Sequence, residues 1–106
     1  MTSAVGPLHT VNKSPFADNA LESCLAHLTE GAALLLMEDG VYAALATGTF
    51  AARLAPVAAK CAVYALGPDL AARGLADRPL IDGLRIVDYE GFVDLAARHS
   101  VVQAWL

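Results

Sequence analysis

Two rhythms of apolar positions alternate along this chain. Short, mostly apolar runs of strand length occur at LHTV (Leu8–Val11), AALLLM (Ala32–Met37), CAVYAL (Cys61–Leu66) and LRIV (Leu84–Val87). AALLLM is apolar at successive rather than alternate positions, the pattern of a strand covered on both faces in a parallel sheet. Between the runs the spacing lengthens. In LESCLAHL, Leu21, Cys24, Leu25 and Leu28 fall at i, i+3, i+4 and i+7, one helix face turned towards a core.

Helices are predicted from about Ala20 to Thr29, in VYAALA after the break EDG, in GPDLAARG, and from about Tyr89 to Arg98; GTFAARLAP reads as a helix or a loop with a helical turn. The tail VVQAWL reads as a fifth, edge strand. Punctuation agrees with these limits. Pro15 turns the chain out of the first strand, Asn19 and Glu22 have capping-box spacing, and Gly31 suits a left-handed position beyond the helix. Pro56 is expected to help end its segment, Pro68 falls near a first turn and Gly74 is a stop. Strand alternating with helix predicts a three-layer α/β/α sandwich around a mainly parallel sheet of about five strands. Strand order is not readable from these signals.

With 106 residues the chain forms one domain, expected over residues 8–106 with 1–7 as an N-terminal extension. Composition adds a second expectation. Hydrophobic residues make up 57% and charged residues 17%, against roughly 25% charged in an ordinary domain, and mean hydropathy is +0.50. A small core cannot hold that surplus, and contiguous exposed apolar surface marks an interface, so obligate association with another subunit is expected. The net charge of -4 and the pI near 5.1 argue against direct nucleic-acid binding, which needs clustered Lys and Arg. No uncharged apolar run approaches the roughly 18 residues of a membrane span. MTSAVGPLHTV lacks the basic region of a signal peptide, and a cytoplasmic protein is expected. The two cysteines, Cys24 and Cys61, form no CxxC pair, and a disulfide between them is not expected in a reducing compartment.

Ligands of open parallel sheets bind beyond the carboxyl ends of strands, which directs attention to Asn12–Pro15, Glu38–Gly40, Gly67–Asp69 and Asp88–Gly91. None is a Gly-rich phosphate cradle, and no nucleotide, other cofactor or metal is expected. Lys13 and Ser14 could meet an anion but are also ordinary turn residues. Glu38 and Asp39 could suggest an acid/base pair; as adjacent residues at a strand end they fit termination and a favourable charge at the next helix start better. His9, His27 and His99 lack metal-ligand spacing, and His9 is expected to be a strand residue with a hydrogen-bond partner. Cys61 opens a strand, where Lys60 would point to the other face, and is expected to be structural. Cys24 has His27 three residues on. A protonated His27 would favour a thiolate, whereas the helix spacing favours packing.

Several longer stretches, LHTVNKSPF (8–16), LLLMEDGVYAAL (34–45), YALGPDLAARGL (64–75), VDYEGFVDL (87–95) and the terminal VQAWL, resemble in the same order the DsrH/TusB family, from about Leu8 to Leu106. The resemblance implies a DsrE/DsrF/DsrH-like fold and a subunit of a sulfur-relay assembly, a dimer of heterotrimers with DsrE/TusD-like and DsrF/TusC-like chains. In such an assembly sulfur travels as cysteine persulfide, the main acceptor cysteine lies on the DsrE/TusD-like chain, and a DsrC/TusE-type protein is an eventual acceptor. The cysteine within LESCL resembles the sulfur-oxidising branch, which makes Cys24 a candidate accessory persulfide carrier and favours dissimilatory sulfur oxidation. The alternatives are a TusB-like subunit serving 2-thiouridine synthesis at the tRNA wobble position and a purely structural subunit. Cys61 matches no motif of the family.

Overall fold

The computed structural model describes residues 6–106. Five strands, β1 (Leu8–Val11), β2 (Ala33–Leu36), β3 (Ala62–Leu66), β4 (Arg85–Val87) and β5 (Val102–Trp105), form one sheet in the order β4-β3-β2-β1-β5, and every pairing is parallel. Four α-helices connect them: α1 (Ala20–His27), α2 (Ala51–Lys60), α3 (Gly67–Ala72) and α4 (Tyr89–Arg98). Met1–Val5, most of the expected N-terminal extension, lie outside the described residues. Gly6 N–H donates to Gly31 C=O at 3.0 Å and Ala33 N–H to Pro7 C=O at 3.0 Å, so the last two residues of that stretch already bond to the neighbourhood of β2.

The strand order dictates the layers. From β1 to β4 the chain steps steadily towards one edge, and from β4 it returns across the sheet to the far side of β1. Right-handed crossovers place the outgoing helices on one face and the returning helix on the other. The larger core accordingly unites Leu21 and Cys24 of α1, Leu54 of α2 and Leu70 of α3 with Val11, Leu34, Leu36, Val63 and Ala65 of the sheet. The smaller one holds Leu8, Ala33 and Leu35 against Leu95 of α4, with Tyr64, Phe92 and Ala96 at its margin. Alternate residues of each strand thus serve opposite cores, which explains why β1 and β2 are buried at every position.

Three local expectations are corrected. Asn19 makes no side-chain cap; Asp18 Oδ1 instead accepts from Ala20 N–H at 2.8 Å. VYAALA is not an α-helix: Val41–Ala44 belong to a 3₁₀ helix running from Glu38 to Ala44, and Leu45 and Ala46 lie beyond it. The tighter turn brings Gly40 so close to β1 that a Cβ there would lie 2.2 Å from the Val11 carbonyl oxygen. Pro56 does not end its segment, because α2 continues to Lys60. The N–H that proline lacks would have served the carbonyl of Ala52, and both residues are on the exposed side of the helix, where water replaces the missing donor.

Gly40→Ala should destabilise the fold by about 2 kcal/mol or more, because the clash is with backbone and cannot be relieved by a rotamer change. A denaturant midpoint equal to that of the parent would contradict this account.

Candidate functional site

The strand order reverses between β1 and β5, the place where parallel sheets of this kind open a ligand crevice. Here an indole occupies it. Trp105, paired in register with Val11, donates its Nε1–H to His9 Nδ1 at 2.9 Å. The two rings stack with centroids 6.1 Å apart, and the ring of His27, on α1, lies tilted against the same indole at 5.2 Å. His27 Nδ1 donates to the carbonyl of Ser23 at 2.7 Å. His9 has the hydrogen-bond partner expected of it, and Trp105 packs within its own domain. Burial, and then the nearby His27, hold the His9 titration below its ordinary value.

The remaining carboxyl-end loops are committed to structure. Glu38, in a left-handed conformation at φ 49°, has its N–H bound by Asp69 Oδ2 at 2.6 Å, and Asp39 Oδ1 accepts from Arg73 Nε at 2.9 Å. These contacts tie the ends of β2 and β3 together, and the adjacent carboxylates do not converge on a shared point. Asp88 caps α4 by accepting from Gly91 N–H at 2.7 Å. Ser14 Oγ accepts from Phe16 N–H at 3.2 Å, a turn contact.

The two thiols are placed very differently. Cys24 is 0% exposed, within the larger core, and burial pushes its thiol up to about 12. The idea that His27 promotes a Cys24 thiolate is therefore not supported by this arrangement: His27 directs its Nδ1–H to its own helix, and desolvation opposes the charged sulfur. Cys61 is half-buried and free, its thiol 3.7 Å from the Thr29 carbonyl. It is the C-cap of α2 rather than the first residue of a strand, and it lines two adjoining cavities, of about 290 and 450 Å³, together with Lys60. The smaller also receives Arg98 and His99 from the end of α4. Sequence reasoning missed this place because it looked beyond the carboxyl ends of the strands, whereas these cavities flank the amino ends of β2 and β3.

Among the described residues no group of three or more His, Cys, Asp or Glu side chains is arranged to hold a metal ion, and no helix is long and apolar enough to cross a membrane. Apolar side chains are nevertheless displayed: Tyr89 and Val93 on α4 are 60% and 65% exposed, and Ile86, Val101 and Val102 are exposed at the two edges of the sheet.

A five-stranded, all-parallel α/β sandwich with its chain reversal between β1 and β5 is the class these features define. The crystal structure of the ychN protein from E. coli has the same fold, with a TM-score of 0.84, 20% sequence identity, and coverage of 95% of this chain and 99% of that one. Residues 13–102 match the family described as DsrH like protein. Protein TusB from Pectobacterium parmentieri is 39% identical over 98 residues, 92% of this chain and 99% of the relative, and Protein TusB from Shigella flexneri is 42% identical over the same length. The chain belongs to the DsrH/TusB family of sulfur-relay subunits.

Two measurements test this geometry. In the native protein at pH 7.5 a thiol reagent should modify Cys61 first and leave Cys24 protected, read for each cysteine by mass spectrometry. Trp105→Phe keeps an aromatic ring but removes the indole N–H, and should cost about 1–3 kcal/mol of stability because it strands a buried acceptor; an unchanged unfolding midpoint would refute the assigned bond.

Proposed function

We propose that this chain is a non-autonomous subunit of a cytoplasmic sulfur-relay complex of the TusB type, serving 2-thiouridine synthesis at the tRNA wobble position through partner chains and without binding RNA itself. The observation that carries this reading is the nearly full-length match to proteins named TusB. It moves the balance away from dissimilatory sulfur oxidation, which the LESCL cysteine had favoured. The apolar side chains exposed along α4 and at the sheet edges suit a chain completed by DsrE/TusD-like and DsrF/TusC-like subunits in a dimer of heterotrimers, with a DsrC/TusE-type protein as eventual acceptor.

In a relay step, an acceptor thiolate attacks the terminal sulfur of a donor persulfide. The donor S–S bond breaks as a new S–S bond forms on the acceptor, and the donor leaves as a thiolate, with no net oxidation. The principal acceptor is assigned to the DsrE/TusD-like partner. Cys24 is at most an accessory carrier, because its buried thiol must first be exposed and deprotonated. Sulfur oxidation remains the second reading, on the specific ground that Cys24 lies within LESCL.

Co-expression with the two partner types should give a stable hetero-oligomer, whereas a stable isolated monomer with no affinity for them would overturn the assignment. Given a persulfide donor, the complex should load sulfur mainly on the DsrE/TusD-like chain. Cys24→Ser is nearly isosteric and should preserve assembly while lowering sulfur transfer several-fold without abolishing it. Parent-like rates in an intact variant complex would remove Cys24 from the relay.

A further inference from the structure

The junction of β1, β5 and α1 has a protonation logic set by hydrogen-bond chemistry. An indole N–H only donates, so the bond from Trp105 to His9 Nδ1 requires that nitrogen to be unprotonated. The proton of the neutral His9 ring therefore resides on Nε2, which finds no acceptor among the described residues, in a side chain only 2% exposed. A second proton has one place to go: Nδ1, the atom that holds Trp105. Protonating His9 removes the acceptor and creates a buried cation.

Among the described residues the His9 ring has no carboxylate as a hydrogen-bond partner. From α1 come His27 and, one turn earlier, the buried neutral Cys24. The register partners of His9 are Leu34 on β2 and Gln103 on β5. The one carboxylate of α1, Glu22, is engaged by Arg53 of α2. Strand β5 is itself lightly held: it pairs on one side only, with β1, and Val102, Gln103 and Ala104 are exposed. Trp105 is its one side chain packed against the larger core, the core that contains Cys24.

We propose that His9, Trp105 and His27 form a proton-sensitive latch that holds edge strand β5 closed against α1 and so controls access to Cys24. The use of this latch in sulfur relay rests on the reading above, but access to the thiol is measurable whether or not Cys24 carries sulfur. The sign follows from the His9 titration, which burial and then the nearby His27 hold below its ordinary value in the closed form. The open form binds the proton more tightly, so closure is fully favoured above pH 6.5 and weakens as pH falls from 6.5 towards the lowered value. Across that window the open fraction rises as pH falls, by at most about tenfold per pH unit for a single proton.

The test uses the full chain in the assembly in which it purifies, treated with 4,4′-dithiodipyridine between pH 5 and 8, with mass spectrometry of the mixed disulfide at each cysteine. The ratio of Cys24 to Cys61 modification is compared with that of His9→Gln, which shares the general pH dependence of thiol attack at both cysteines. The parent ratio should climb below about pH 6.5 and then level, by no more than about tenfold per unit, with amide exchange in the β5 peptide rising in step. His9→Gln retains an acceptor but cannot titrate, and should remove that climb. A flat ratio in the parent, or a climb that survives His9→Gln, overturns the latch. Should glutamine at this position prevent folding, Trp105→Phe decides: it should raise the ratio at pH 8, and an unchanged ratio rejects the proposal.

Discussion

A parallel sheet has to be covered on both faces, and this chain is short of cover on one of them. Three α-helices and a 3₁₀ helix lie over the larger core, but α4 alone lies over the other face. Much else follows from that inequality. Leu95 is the fully buried residue of α4, while Tyr89 and Val93 of the same helix remain in solvent. Part of the apolar surplus is thus displayed on the thinly covered side and along the sheet edges, with Phe16 exposed beside Phe50 on the other side, and such surface is where a neighbouring chain can bury it.

The same architecture explains which parts of the fold could be read from residues alone. β1 and α4 have the limits the pattern suggests, because a short run bounded by turn residues and a 3.6-residue period are each readable locally. Departures occur where a distant contact decides. The 3₁₀ helix depends on how closely Gly40 passes the Val11 carbonyl, a long-range contact invisible in EDGVYAAL. Pro56 is tolerated because of where α2 faces, and Asp18 displaces Asn19 as the capping side chain by geometry that spacing cannot distinguish. Strand order, and with it the meeting of His9 with Trp105, depends on a return connection that carries no local mark.

The candidate site was legible in kind but not in placement. Helical spacing already set Cys24 against a core, and the structure takes that to completion by excluding solvent from its sulfur. Packing and chemistry make opposing demands there: desolvation that helps the helix adhere to the sheet also keeps the thiol protonated. Cys61 has the reverse character. It is accessible and lies near basic side chains, yet no family motif draws attention to it.

The pairing of β5 with β1 has a consequence for how the protein is made. His9 and Trp105 are 96 positions apart, so the inner strand β1 cannot acquire its second neighbour until nearly the whole domain has been synthesised. Contacts of such long range slow folding, and during that wait β1 offers an unpaired backbone edge to any passing chain. That edge is closed only when β5 of the same chain reaches it, so the last residues made are the ones that cover the first strand.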